Sequence, residues 1–267
     1  MFIFNLPVQE KVATIRTYLY SLASEIKMRG GRQIFRQFED WFIHTTLRYI
    51  LRRLGTEPLR YRRPLTVDML FKLVSESASR GDVFIAMLFL GVFGMLRVGE
   101  LCYSKTKEVT KFITNGDVRF SKLQVEFILR GTKTDLKKEG VLKVVASIPD
   151  VKFNPYDFIR SYQMSKTKSL GKIEPFFALP DGRPVTRPML IGYLQEQMAR
   201  VYPKIPAGEW SGISLRKGGA TSAMRAGLTG DVIEFLGHWK SDVYKRISHD
   251  LTDVLAAQRK VCRITDI

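Results

Sequence analysis

The run VFIAMLFLGVFGML, residues 83–96, constrains this chain more than any other feature. It is too short to cross a bilayer, which takes about 20 apolar residues, and it carries two glycines. A segment apolar on every side has to be surrounded by protein, so it predicts a buried core helix that other elements pack around. Arg97 follows it directly. A guanidinium beside a buried apolar run is costly unless paired, and Glu100, one turn further on, is placed to hold it.

The elements expected to wrap that helix can be read on either side. Before it, Val12, Ile15, Leu19, Leu22 and Ile26 follow helical spacing, as do Ile34, Phe38, Trp41, Phe42 and Leu47 after Gly30-Gly31. Arg32, Arg36 and Arg48 interleave with the second set, as on an amphipathic helix with a solvated face. The stretch GTEPLRYRRPLT has Pro58 and Pro64, the cations Arg60, Arg62 and Arg63, and no apolar period, so it reads as a basic interdomain linker. Thr66 is an N-cap candidate for a helix over VDMLFKLVSES.

After Gly99 the period changes. Leu123, Val125, Phe127 and Leu129 alternate with polar neighbours, and VLKVVASI follows a turn-like GTKTDLKKEG. That is a β-hairpin with a lysine-rich tip. From Pro155 onward the pattern is helical again, broken at LPDGRPVTRP and YPKIPAGEW, and the segment VLAAQRKVC makes an amphipathic helix in the tail. The expected fold class is mainly α with a small antiparallel sheet. The expected division is a helical domain at 1–54, a basic linker at 55–65 and a larger α+β domain at 66–267.

Charge narrows the partner. With 43 Lys+Arg against 26 Asp+Glu the formal net charge is +17, which repels itself and is relieved by a polyanion. Nucleic acid is the commonest such partner, through phosphate neutralisation and counterion release. The two cysteines, Cys102 and Cys262, lack metal-ligand spacing and read as reduced thiols of an intracellular protein. The start, MFIFNLPVQEK, has neither the basic n-region nor the cleavage site of a secretory signal. No metal, organic cofactor, membrane or small-molecule substrate is expected.

Four phrases stand out together: PLT at 64–66, LRVGEL with Arg97, SLRKGGAT with Arg216, and LGHWKSD with His238. Between them RGTKTD puts Lys133 at the hairpin tip. In this order they resemble the tyrosine recombinase (phage-integrase-like) family, most of all its eukaryotic mobile-element branch, over residues 64–250. The resemblance implies a C-shaped clamp on duplex DNA, with a catalytic-domain fold preceded by a short, partial core-binding helical domain. It implies that Arg97 and Arg216 bind the scissile phosphate, as suits planar forks that stay charged. Lys133 would protonate the leaving 5′ oxygen, and His238 would donate a hydrogen bond to the phosphate. It also implies assembly as a homo-oligomer on DNA, and a nuclear location if the source is eukaryotic. Arg60, Arg62, Arg63, Lys133, Lys217 and Lys240 are the expected DNA-backbone contacts.

Two positions depart from the family pattern. Ile213 occupies the place of a histidine three residues before Arg216, removing a donor typically worth about 3 kcal/mol in the transition state. Ile247 occupies the nucleophile's place, nine positions after His238, and has no attacking oxygen. Tyr244 is the nearest tyrosine, but three residues back on a helix displaces it by about 4.5 Å along the axis. The expected function is therefore DNA binding by a recombinase-type fold without cleavage. The alternatives are an active site-specific recombinase, using Tyr244 or a tyrosine supplied in trans, and an interaction module for an acidic protein.

Overall fold

The structure, a computed structural model, describes residues 61–77, 81–104, 112–130, 140–149, 151–166, 171–237 and 251–263, with scattered positions between 17 and 49. The chain divides into two compact units, Met1–Arg60 and Tyr61–Ile267. Of the first unit only isolated positions are described, and these are helical. The two amphipathic helices expected there otherwise lie outside the described residues.

The second unit is mainly helical around a small sheet, the expected fold class. α1 (Val67–Ser77) is followed by α2 (Val83–Phe93), the apolar run. Every residue of α2 except Phe84 is buried. Asp82 caps its N-terminus by accepting from the Phe84 N–H at 2.7 Å. α3 (Val98–Leu101) follows at once, and then come β1 (Val118–Phe120), β2 (Gln124–Leu129) and β3 (Val141–Ala146). The remaining helices are α4 (Pro155–Ser165), α5 (Arg187–Val201), α6 (Gly212–Arg225), α7 (Gly230–Gly237) and α8 (Leu251–Arg263). α2 packs chiefly against α4 and α6. Phe89 stacks on Phe158 of α4 with ring centroids 4.3 Å apart.

The sheet is antiparallel in the order β1-β2-β3. β2 and β3 are the expected hairpin, with Val125 opposite Val145 and Phe127 opposite Lys143. Leu123, counted into the strand from its spacing, instead precedes β2 and is 73% exposed. The spacing misled because it treated the turn residues at 121–123 as part of the alternation. β1 has only three residues and gives no periodic signal of its own.

Thr66 also differs from expectation. Its carbonyl accepts from the Leu70 N–H at 2.9 Å, as an N-cap carbonyl does. Its buried hydroxyl, however, finds no partner among the described residues, and Ser222 Oγ of α6 accepts from the Val67 N–H at 2.9 Å instead. A residue far along the chain caps α1 because α6 lies so close. The Leu65 N–H donates to the Ser214 carbonyl at 2.9 Å, and a Cβ at Gly218 would sit 1.8 Å from the Leu65 oxygen. At Gly219 it would sit 2.1 Å from the Val92 oxygen of α2. The paired glycines of SLRKGGAT are therefore a packing requirement.

α8 is the amphipathic tail helix, burying Ala257, Gln258, Val261 and Cys262. It packs on β3 and α6. The Gln258 amide accepts from the Ala146 N–H at 2.8 Å and donates to the Val144 carbonyl at 2.8 Å.

Candidate functional site

The end of α2 sets up the site. Met95 lies at φ +49°, in the left-handed region where a residue with a side chain is strained. This bend turns the chain out of the core helix and presents the Met95 carbonyl to Arg216, whose Nη1 donates to it at 3.1 Å. Arg97, two residues on, is the N-cap of α3. Glu100 holds it twice, accepting from its backbone N–H at 2.7 Å and from Nη1 at 2.9 Å. One carboxylate both caps the short helix and orients the guanidinium. Arg97 remains 41% exposed at its side chain, against 14% for Glu100.

Arg216 arrives from α6 and is 9% exposed. Its Nη2 donates to the Gly237 carbonyl at 2.6 Å, in the last turn of α7. Burial first, and then the nearby Arg97 guanidinium, lower its pKa, with Glu100 opposing. The two arginines, distant in sequence, thus lie near enough to act on each other.

A third cation joins them. Lys143 of β3 is buried, and its Nζ donates to the Leu236 carbonyl, next to the one that Arg216 grips. Burial foremost, then Arg216, lower its pKa to about 7, while Glu100 raises it and Arg97 lowers it further. Sequence reading passed over Lys143 because it sits inside an apolar strand. The signal was the inverted pattern of VLKVV: Leu142 is 55% exposed while Lys143 points inward with Val145.

Arg63 and Lys217 lie over the Tyr61 ring, their charges 5.2 and 5.1 Å from its centroid, and Arg62 joins this group through Lys217. Arg63 pairs with Glu209 at 2.8 Å. Arg62 Nη1 donates to the Gly208 carbonyl at 2.5 Å, and Lys217 Nζ donates to the Arg62 carbonyl at 2.8 Å. Ile213 stands in the first turn of α6, 55% exposed. Arg60, Lys133, His238, Lys240, Tyr244 and Ile247 lie outside the described residues.

The arrangement can hold an anion. Among the described residues, Arg97, Lys143 and Arg216 gather near the Glu100 carboxylate, which is hydrogen-bonded to Arg97. Among the described residues no group of His, Cys, Asp and Glu could hold a metal ion, and no helix is long and apolar enough to cross a membrane. Cys102 and Cys262 are buried and not joined in a disulfide, and burial pushes the Cys102 thiol up to about 12.

No protein-family model matches the chain, and no curated protein matches it. Among solved structures it is similar to the integrase from mycobacterium phage Brujita, at 17% identity over 95% of this chain and 73% of that one, with a TM-score of 0.48. It is also similar to a chain of the Flpe–Holliday junction complex, at 10% identity over 90% of this chain and 57% of that one, TM-score 0.46. A third similar structure is the Tn1549 transposon integrase in complex with circular intermediate DNA, at 14% identity over 95% and 86%, TM-score 0.43.

Proposed function

We propose that this chain binds duplex DNA through a tyrosine-recombinase-type clamp and holds a backbone phosphate without cutting it. The observation that carries the reading is the convergence of Arg97, Arg216 and Lys143 on one site with Glu100 as the opposing charge. Two planar forks and an ammonium gathered there match a phosphodiester in charge and in donor geometry. The net charge of +17 adds the long-range attraction that a polyanion would relieve. Lys133 and His238 extend the phosphate site, and Arg60, Arg62, Arg63, Lys217 and Lys240 track the flanking backbone. Ile213 and Ile247 remove a donor and the nucleophile, so binding persists and transesterification does not. On this reading the chain derives from the eukaryotic mobile-element branch, works in the nucleus and assembles with copies of itself on DNA. The basic segment 55–65 then links a helical domain at 1–54 to the clamp domain at 66–267.

The test is a salt titration of duplex binding, with anisotropy as readout, run beside a nicked suicide substrate. Affinity should fall steeply between about 50 and 200 mM salt, and Arg97→Gln should weaken binding and flatten the slope by about one. A flat salt dependence overturns the proposal. Denaturing gels should show no covalent protein–DNA species. An adduct that vanishes in Tyr244→Phe establishes the active recombinase instead. Unchanged DNA affinity after Arg97→Glu and Arg216→Glu points to an acidic protein as the natural ligand.

A further inference from the structure

Lys143 joins Arg97 and Arg216 at the site, yet it occupies an inhospitable place for a positive charge. It is 6% exposed, so burial penalises its charged form, and two guanidinium groups act on it. What fixes it is the bond from its Nζ to the Leu236 carbonyl, beside the Gly237 carbonyl held by Arg216. A neutral amine still has N–H groups to donate, so this contact survives loss of the charge. The amine can therefore change its protonation state while staying in place.

The charged groups that act on it come from two elements. α3 and its cap supply Glu100 and Arg97, and α6 supplies Arg216. α7 contributes the Leu236 carbonyl, and α8 approaches the neighbouring strand positions through the uncharged Gln258 amide. Among the described residues, no other charged group acts on the amine.

Building on the phosphate-binding reading, we propose that Lys143 is the proton-accepting member of the anion site: a phosphodiester seated by Arg97 and Arg216 draws a proton from solvent onto its amine. The charge balance is simple. Of the described groups that act on the amine, two guanidinium groups against one carboxylate make one net positive charge without the anion. A phosphodiester anion and one proton arrive together and leave the same net charge. The low pKa of about 7 in the free protein means that near pH 8 the amine is mostly neutral and ready to accept.

The experiment is calorimetric titration of the full chain with a duplex oligonucleotide at pH 8, in Tris and in HEPES, whose ionisation enthalpies differ. Wild type should take up about one proton per bound site, and Lys143→Met should take up about one fewer. Lys166, the other amine with a lowered pKa among the described residues, is present in both proteins and cancels from the difference. Independently, wild-type affinity should weaken by up to about tenfold per pH unit between pH 8 and 9, a slope that Lys143→Met abolishes. Steep salt dependence with equal proton uptake in both proteins, or with affinity flat across that pH range, overturns the role of Lys143 and leaves the DNA-binding reading standing. Absence of duplex binding at any salt overturns both.

Discussion

A buried amine beside two guanidinium groups leaves a mark on stability as well as on binding. The folded-state pKa of Lys143, about 7, lies below its ordinary 10.5. Between those values the unfolded chain binds the extra proton and the folded one does not. Stability contributed through this group is therefore lowest below pH 7 and rises as pH climbs toward 10.5. Urea denaturation at pH 7 and pH 9.5 should show wild type gaining stability over that interval, with Lys143→Met more stable at pH 7 and gaining less, its remaining slope coming from groups such as Lys166. Ile213 has the opposite character. It is 55% exposed, so Ile213→His should change stability by no more than about 0.5 kcal/mol, read from the thermal midpoint. Combined with Ile247→Tyr, it should restore a covalent adduct on suicide substrates where wild type gives none.

Among the elements, α6 has the narrowest tolerance. It carries Arg216, and its approach to the Leu65 backbone and to α2 leaves no room for a methyl group at Gly218 or Gly219. Gly218→Ala should cost about 3 kcal/mol or more, since the clash is with backbone and no rotamer relieves it. Gly192→Ala is the matching control. Gly192 sits within α5, exposed and with nothing near a new Cβ, so alanine there should stabilise by up to about 1 kcal/mol. Denaturant midpoints of the two variants should move in opposite directions. Sequence showed α2 through its unbroken apolar run, and the β2–β3 hairpin and the late helices through a hydrophobic period long enough to recognise. It also paired Arg97 with Glu100, since both lie on one turn. It could not show that Ser222 caps α1 or that Lys143 meets Arg216, because both depend on how distant elements pack. Thr66 looked like a cap for the same reason: local chemistry nominates a residue, and tertiary packing supplied a different one.

At the scale of the molecule, the anion site is assembled from pieces that no single segment contains. The bend after α2 presents Arg97, β3 brings Lys143, α6 brings Arg216, and α7 ends in the carbonyls that the last two hold. Anything that loosens the sheet from the helices therefore loosens the proposed phosphate site as well. β3 stands at one margin of the sheet, and its outward amide and carbonyl groups would otherwise offer a template to any extended strand nearby. The Gln258 side chain fills two of those positions from α8, as an adjoining strand would. Gln258→Leu should leave the helix docked but the margin unsealed, and light scattering on warming should show earlier self-association than in wild type. On that expectation the tail helix acts as a stopper against fibre-like growth, and if the proposed function holds, a basic protein crowded along DNA would need one most where its neighbours are closest.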